Sequence, residues 1–341
     1  MFTMLALLIV STFLSSLLLN YWFSRTASSF LPRDIPNNRS LHQEVTPRSG
    51  GIAISIVVYA ILCVYAVISQ SSLDSLFIPS LAFILVAFIS LYDDYRSLSF
   101  LPKILVHSLA SLLLLMHFGN FDLFSTDDVL MMSLYVSLTF IAVLWLMNSF
   151  NFMDGSDGLA AMMAIVGFGS FAIIGWWVGD SHFFTLALLI VVAVAGFLIF
   201  NFPKASIFLG DTGSVQLGLA VAFFSLWGLQ MGYFEFHIPI ILFSPFIADT
   251  TVTLAKRIIK GERFWQAHCT HFYQRLIQAG WSHRDLLLNE AVLMLFMAIY
   301  ALCLFLWPVL NGITALLVVI VLYSVIIFYV TKKIPHKLAT Y

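Results

Sequence analysis

Long apolar runs alternate along the chain with short polar segments rich in charged residues, Asn, Gly and Pro. A helix needs about 20 mostly apolar residues to cross a bilayer. Runs near that length lie at 2–23, 51–69, 76–91, 104–118, 129–147, 159–178, 183–200, 215–231, 238–255, 291–308 and 313–330. The pattern predicts an all-α, polytopic integral membrane protein with about eleven transmembrane helices. No stretch is left for a separate soluble domain, so residues 1–341 read as a single transmembrane domain. The first run has no positive lead-in and no small-residue cleavage site, and its first Arg, Arg25, follows the apolar stretch. It reads as a retained anchor.

Composition agrees with the pattern: 61% of residues are hydrophobic and 10% charged, against about 45–50% and about 25% in soluble domains. The net charge of −1 hides an asymmetry. Alternating the spans places all 16 Lys and Arg in segments 24–50, 92–103, 148–158, 201–214, 256–290 and the tail 331–341. The opposite loops carry none, but hold Asp74, Asp122, Asp127, Asp128, Asp180 and Glu235. The positive-inside rule then makes the first set cytoplasmic, with the N-terminus outside and the C-terminus cytoplasmic. The chain lacks the basic surplus of a nucleic-acid binder. Cys63, Cys269 and Cys303 are too scattered for a disulfide framework.

The chemistry gathers in the cytoplasmic set. Asp93-Asp94 closes the third span; adjacent carboxylates are comfortable there beside a cation or metal, or as a solvated helix end. Asn148-Ser149-Phe150-Asn151-Phe152-Met153-Asp154-Gly155-Ser156-Asp157-Gly158 holds more Asn, Asp and Gly than a connector needs. A structural turn, with Asp157 capping the next helix, explains only part of it. Gly210-Asp211-Thr212-Gly213-Ser214 enters the eighth span as a Gly-rich loop, which suits phosphate if a divalent cation screens Asp211, or else caps the helix. His268, His271 and Arg275 fall at i, i+3 and i+7, one face of a helix ending near Gly280. That face suits a diphosphate or anionic lipid headgroups. Ser282-His283-Arg284-Asp285 resembles a capping box for the next helix. Arg39, His42 and Arg48 add anion-binding groups in the first loop. Asp249, inside the ninth span, is expected to pair with Lys256 or Arg257 and is given no chemistry.

Taken in order, these segments resemble the polyprenyl-phosphate N-acetylhexosamine-1-phosphate transferase family. The likeness rests on Pro36-Asn37-x-Arg39-Ser40-x-His42, Thr46-Pro47-Arg48-x-Gly50-Gly51, Asp93-Asp94, Asn148 to Leu159, Gly210-Asp211-x-Gly213-Ser214, and His268-x-x-His271-x-Tyr273-Gln274-Arg275-Leu276. The first and last motifs look most like the branch that initiates O-antigen chains. The single His268-Cys269-Thr270-His271 run and the absence of a Lys close behind the Asp pair argue against a muramoyl-pentapeptide donor.

The resemblance implies transfer of a sugar 1-phosphate from a UDP-N-acetylhexosamine of the GlcNAc, QuiNAc or FucNAc type to undecaprenyl phosphate, releasing UMP. It implies Mg²⁺, or Mn²⁺, held by Asp211 with Asn151. Of Asp93 and Asp94, one would assist the metal and the other orient or deprotonate the acceptor. Asn148, Asp154 and Asp157 would shape the uridine end, and Gly210 the phosphate loop. His268, His271 and Arg275 would meet the diphosphate or sugar, while Arg39, His42 and Arg48 complete a cationic wall. The setting implied is a bacterial inner membrane with a cytoplasmic active face, with room for a homodimer. The competing reading is a multispan transporter or flippase, which would spread polar residues through the bilayer midplane. Here the ionisable residues gather at span ends, and no broken-helix pair is expected.

Overall fold

A computed structural model describes residues 2–25, 31–36, 44–69, 77–119, 128–263, 265–266 and 268–333. Arg39 and His42 lie outside the described residues. The protein is helical almost throughout: α1 (Phe2–Arg25), α2 (Gly50–Ser69), α3 (Phe77–Arg96), α4 (Phe100–His117), α5 (Val129–Met153), α6 (Leu159–Val178), α7 (Ser181–Asn201) and α8 (Gly210–Gln230) are followed by α9 (His237–Leu242), α10 (Ser244–Ile259), α11 (Phe272–Gln278), α12 (His283–Leu306) and α13 (Gly312–Lys333). Ten of the described helices are long and apolar enough to cross a membrane. The chain is an all-α polytopic membrane protein, with one short antiparallel ribbon, β1 (Arg33–Asp34) with β2 (Thr46–Pro47), added in its first long loop.

The expected span at 238–255 is not one helix. It divides at Phe243 into α9 and α10 because Pro245 has no N–H for the preceding turn. Ser244 Oγ donates to the Ile241 carbonyl instead (2.7 Å), so the break leaves that group satisfied inside the protein. Phe243 is fully buried, and Gly167 of α6 leaves room for its ring.

Several helices also outrun their apolar stretches. α3 continues through Asp93 and Asp94, α5 through Asn148 and Asn151, and α12 starts at His283, capped by Ser282 as the Ser282-His283-Arg284-Asp285 pattern suggested, ahead of the apolar run from 291. Hydropathy marks the slab of lipid, whereas a helix persists while its backbone bonds close. Much of what reads as loop in 92–103 and 148–158 is therefore helix end, and its polar side chains are held on rigid elements.

At the centre stands α8, in contact with α2, α3, α5 and α6. Its neighbours approach closely because it presents glycine to them. A Cβ on Gly218 would lie 2.5 Å from the Leu146 carbonyl oxygen of α5, and one on Gly51 of α2 would lie 2.1 Å from the Gly213 nitrogen. Small residues at helix crossings are the usual means of packing where lipid gives no hydrophobic drive. A phenylalanine cluster including Phe168, Phe171, Phe183 and Phe224 fills the other side of α8.

Candidate active site

The site is built around the N-terminus of α8. The strand-like stretch before it is clamped to the start of α2: Phe208 N donates to Pro47 O (2.8 Å), Gly50 N to Phe208 O (3.0 Å) and Gly51 N to Leu209 O (2.8 Å). Thr46-Pro47-Arg48-Ser49-Gly50-Gly51 and Phe208-Leu209-Gly210-Asp211 thus meet as one backbone unit. Gly210 takes a left-handed conformation, with φ +75°, that a side chain would strain.

Residue 209 is Leu, which has no side-chain acceptor for the first amides of α8. Asp94 supplies it from α3. Its carboxylate accepts from Asp211 N (2.9 Å), Thr212 N (3.0 Å) and Thr212 Oγ1 (2.7 Å). A carboxylate at a helix N-terminus is favoured both by the free amides and by the dipole. Asp93 takes a different partner, accepting from Lys103 Nζ of α4 (2.8 Å) and from Leu98 N. Lys103 Nζ in turn lies 3.8 Å from Asp211 Oδ2, so one ammonium bridges two carboxylates.

These groups border a cavity of about 1540 Å³. Of the residues singled out in the sequence, Arg48, Asn148, Asn151, Asp154, Asp157, Gly210, Asp211, His268 and His271 all line it. Asp93 and Asp94 do not form its wall: both are buried one layer behind, where they hold Lys103 and the α8 terminus. Arg275 is also displaced. The helix begins only at Phe272, so His268 precedes it and the i, i+3, i+7 face does not form; Arg275 is buried with its guanidinium 5.5 Å above the Phe272 ring, away from the cavity wall.

The loop after α5 is pinned from several sides. Gly158, at φ +74°, donates its amide to Asn201 Oδ1 (2.9 Å), and Asn201 Nδ2 donates to Ile207 O (2.8 Å). Asp157 accepts from Ala205 N (3.0 Å), which gives it a structural task beside any role at the wall. His283, read from the sequence only as part of a cap, accepts the Asp157 amide at 3.3 Å and also lines the cavity. Asn151 Nδ2 donates to Ser214 Oγ (3.2 Å), bringing its amide against the first turn of α8.

Asp249 is the residue whose role the sequence reading missed. Its carboxylate accepts from Phe272 N (3.1 Å), Tyr273 N (3.1 Å) and Thr253 Oγ1 (3.0 Å), and lies 2.9 Å from His271 Nδ1. An ionised carboxylate only accepts, so Nδ1 of His271 carries the proton. Asp249 therefore caps α11 and orients His271, in place of the expected pairing with Lys256 or Arg257. Its signal in the sequence was the cost of a carboxylate inside an apolar run. His271 stacks between Phe152 and Tyr273, with ring centroids at 5.8 and 6.0 Å, and the His268 ring stands 5.0 Å from it.

Burial and the neighbouring carboxylates set the electrostatics of the site. Burial holds the Asp154 carboxyl well above its ordinary range, and neighbouring Asp211 and Asp94 push it the same way, against Arg48. Burial works against the Arg48 charge, but Asp34, Asp211 and Asp94 outweigh it and raise the guanidinium further. Burial lowers His268 to about 3, helped by His271 and Arg257, so its ring is neutral. Among the described residues no three His, Cys, Asp or Glu converge on one point as a closed metal cage. Mg²⁺ rarely needs one: it is commonly held by one or two carboxylates, water and substrate phosphates. The clustered carboxylates around Asp211, with oxygen donors rather than thiolates, fit that ion.

Residues 76–229, which carry Asp93, Asp94, Asp154, Asp157 and Asp211 but not Asp249, match the model of glycosyl transferase family 4. A probable undecaprenyl-phosphate N-acetylglucosaminyl 1-phosphate transferase from Bacillus subtilis is 31% identical over 257 residues, covering 74% of this chain and 71% of its own. The chain belongs to glycosyl transferase family 4. Another member, decaprenyl-phosphate N-acetylglucosaminephosphotransferase of Mycobacterium leprae, is 27% identical over 74% of this chain and 72% of its own. The phospho-N-acetylmuramoyl-pentapeptide-transferase of Halalkalibacterium halodurans is 31% identical over a shorter stretch, 51% of this chain and 52% of its own. The family assignment makes the protein a transferase, and it joins Asp93, Asp94, Asn151, Asp154 and Asp211 within one matched region.

Proposed function

We propose that the protein transfers N-acetylhexosamine 1-phosphate from a UDP-N-acetylhexosamine to undecaprenyl phosphate, releasing UMP. The supporting observation is the course of the cavity. It runs from Asp211, Arg48 and Lys103 to Ile104, Ile141 and Leu144 on membrane helices α4 and α5. Ile141 is 57% exposed on the bilayer-facing side of α5, so the same cavity reaches the lipid. A soluble sugar nucleotide and a lipid phosphate can therefore meet in it from opposite directions. Its volume exceeds the roughly 300–1,000 Å³ of a typical single-ligand site.

In the reaction, an oxygen of the lipid phosphate attacks the β-phosphorus of the donor. The bond from that phosphorus to the oxygen bridging to the α-phosphate breaks, and UMP leaves with the electron pair. Such transfer is mostly positioning and charge neutralisation. A phosphate monoester has its second pKa near 6, so the acceptor is largely dianionic at neutral pH and no dedicated base is required. Mg²⁺, when bound by Asp211 and Asn151, neutralises charge on the diphosphate. Lys103 and Arg48 present fixed positive charge beside it, and Asp93 and Asp94 keep Lys103 and Asp211 in register. Neutral His268 and Asp249-oriented His271 offer hydrogen bonds from the opposite wall. Asn148 and Asp154 shape the nucleoside end.

The donors in view are of the GlcNAc, QuiNAc or FucNAc type, with O-antigen or another envelope glycan as the product chain. The active face is cytoplasmic by the distribution of Lys and Arg, and the bacterial relatives support a bacterial inner membrane as the setting. The α9–α10 break is the kind of feature a transporter would use. It is, however, closed by Phe243 and Ser244 and contributes nothing to the cavity wall.

The test is UMP release by the purified protein with undecaprenyl phosphate and a panel of UDP-sugars, including the muramoyl pentapeptide, with and without Mg²⁺. Release with an N-acetylhexosamine donor that requires both lipid and Mg²⁺ is expected. No release with any donor overturns the reading.

A further inference from the structure

The C-terminal end of α10 carries a group of cations that the transferase scheme leaves unused. Lys256 lies in the last turn of that helix and Lys260 caps it one turn on. Arg263 follows just after the turn at Gly261. None of the three lines the cavity. The carboxylates nearest to them are engaged elsewhere, Asp249 with α11 and His271, and Glu262 with Arg257 (2.7 Å). Among the described residues Lys256, Lys260 and Arg263 form no ion pair. Arg275 of α11 adds a further charge: its guanidinium and the Lys256 ammonium stand 5.5 and 4.7 Å from the same Phe272 ring. Burial first, then Arg275 and Lys260, push the Lys256 pKa below its ordinary value, against Asp249. The α10 dipole favours cations in its last turn. It does not account for Arg263, beyond the helix, or for the approach of Lys256 to Arg275, an arrangement of like charges that an added anion relieves.

The kind of anion follows from what lies beside the charges. Asp249, Thr250, Thr253 and Leu254 are buried and mark the protein-facing side of α10. The opposite side ends in Ile258 and Ile259, 58% and 85% exposed. A soluble phosphate would meet the cations and leave both isoleucines in water. A phospholipid brings its anionic headgroup and an apolar layer together. Residues 256–263 hold four Lys and Arg against one Glu, which is the density at which a segment next to a membrane helix recognises anionic lipid.

We infer that Lys256, Lys260 and Arg263 form a binding site for the headgroup phosphate of an anionic glycerophospholipid, with Ile258 and Ile259 set into the adjoining acyl region. The site stands outside the reaction cavity and is separate from that of the prenyl acceptor. Because α11 packs on α10 here, with Phe272 against Lys256, occupancy ties the two helices together and is read as stability of the folded protein. The inference goes beyond the transferase reading and does not depend on it.

The experiment measures Tm of the delipidated protein in an uncharged detergent, with phosphatidylglycerol, phosphatidylcholine, glycerol 3-phosphate or inorganic phosphate added at equal concentration. Phosphatidylglycerol is expected to raise Tm by about 4 °C, and each of the other three to change it by less than about 1 °C. The triple variant Lys256→Gln, Lys260→Gln, Arg263→Gln is expected to lose about two thirds of that rise. Lys260→Glu alone, at an exposed position that folding does not depend on, is expected to lose about half. Lys332→Gln with Lys333→Gln, at the basic end of α13, is the control and retains the full rise. No rise with phosphatidylglycerol, an equal rise with phosphatidylcholine or either soluble phosphate, a full rise in the triple variant and in Lys260→Glu, or an equal loss in the α13 control overturns the inference. UMP release enters none of these measurements, so a failure of the transferase reading is seen separately.

Discussion

Helices α5 and α8 lie side by side and both deliver residues to the cavity, yet they are built on opposite plans. In its most apolar 18-residue window α5 is 6% buried, whereas the corresponding window of α8 is 89% buried. The buried helix is the less apolar of the two, with a mean hydropathy of 1.4 against 2.2: it carries Gly213, Ser214, Gln216, Gly218 and Ser225 among its apolar residues. In a water-soluble protein the relation runs the other way. Lipid tails are as apolar as leucine, so a large apolar side chain gains little by leaving them, and close backbone packing and interhelical hydrogen bonds decide which helix is central. Gln216 illustrates this, donating to Ser55 Oγ of α2 (2.8 Å) and accepting from Tyr59. The Asp211 carboxylate is mounted on the more deeply buried of these two helices. Asn148 and Asn151 extend from the end of the helix that lipid mostly surrounds.

The strongest way to sharpen this contrast is at Asp211, in the first turn of α8. Asp211→Asn keeps the shape of the turn and the backbone amide held by Asp94, and removes the charge. UMP release is expected to fall by about a thousandfold with unchanged yield of folded protein, as for loss of a principal electrostatic contact in phosphoryl transfer. Retention of more than a tenth of the parental rate would separate Asp211 from the metal.

Next in size is the crossing itself. Gly218→Ala places a methyl 2.5 Å from the Leu146 carbonyl oxygen and 2.6 Å from Met147 Cα, both backbone atoms that cannot rotate away. The expected cost is about 1–3 kcal/mol, seen as a lowered Tm in detergent. An unchanged Tm would mean that α5 and α8 are not pressed together there.

Asp249→Asn tests the far wall. The amide has one oxygen: if its NH₂ replaces Oδ2 it faces the Tyr273 backbone amide that Asp249 had satisfied, and if it replaces Oδ1 it faces His271 Nδ1 and displaces the proton from that nitrogen; either way the negative charge beside the ring is lost. A fall in kcat of about 10–100-fold is expected, with donor KM changed far less, because orientation rather than bulk binding is lost. A variant with parental kcat would make Asp249 a helix cap and no more.

How much of this was legible in the sequence depends on the reach of each interaction. Asn148 to Gly158, Gly210-Asp211 and His268-His271 stood out because turns, helix caps and headgroup contacts explain only part of such a local excess of polar and Gly residues between apolar runs, and they do meet in one cavity. What each carboxylate touches was not legible. Asp94 and Asp211 are 117 residues apart, and Asp249 and His271 are 22 apart, separated by the rest of α10 and the loop that follows it. The sequence placed Asp94 at a membrane boundary but carried no sign that its oxygens would be used by another helix. The α9–α10 break was marked by Pro245, and was overlooked because the run stayed apolar across it.

A pH-dependent effect is smaller. His268 is held to about 3 by burial first and by His271 and Arg257 next, against about 6.5 in an unfolded chain. Below pH 6.5 the unfolded state therefore binds the proton and the folded state does not, so this residue's contribution to stability is present above pH 6.5 and is lost as pH falls toward 3. His268→Gln removes that linkage. The difference in Tm between pH 7.5 and pH 5.5 is expected to narrow in the variant, and an unchanged difference would show His268 to be solvated and free to charge.

The smallest effect is expected on the lipid face of α5, and it completes the contrast. Leu138 is 54% exposed on that helix. In water, truncating a leucine to alanine in a core costs about 2–5 kcal/mol, part of it from transfer and part from the cavity left behind. At Leu138 neither contribution applies, since lipid chains fill the space and the side chain leaves one apolar medium for another. Leu138→Ala is expected to change stability by no more than about 0.5 kcal/mol and to leave UMP release unaltered. A single methyl added at Gly218 should thus cost more than three carbons removed from Leu138. If the order is reversed, α5 has a protein partner on that face, and the 6% burial of its window describes an incomplete assembly.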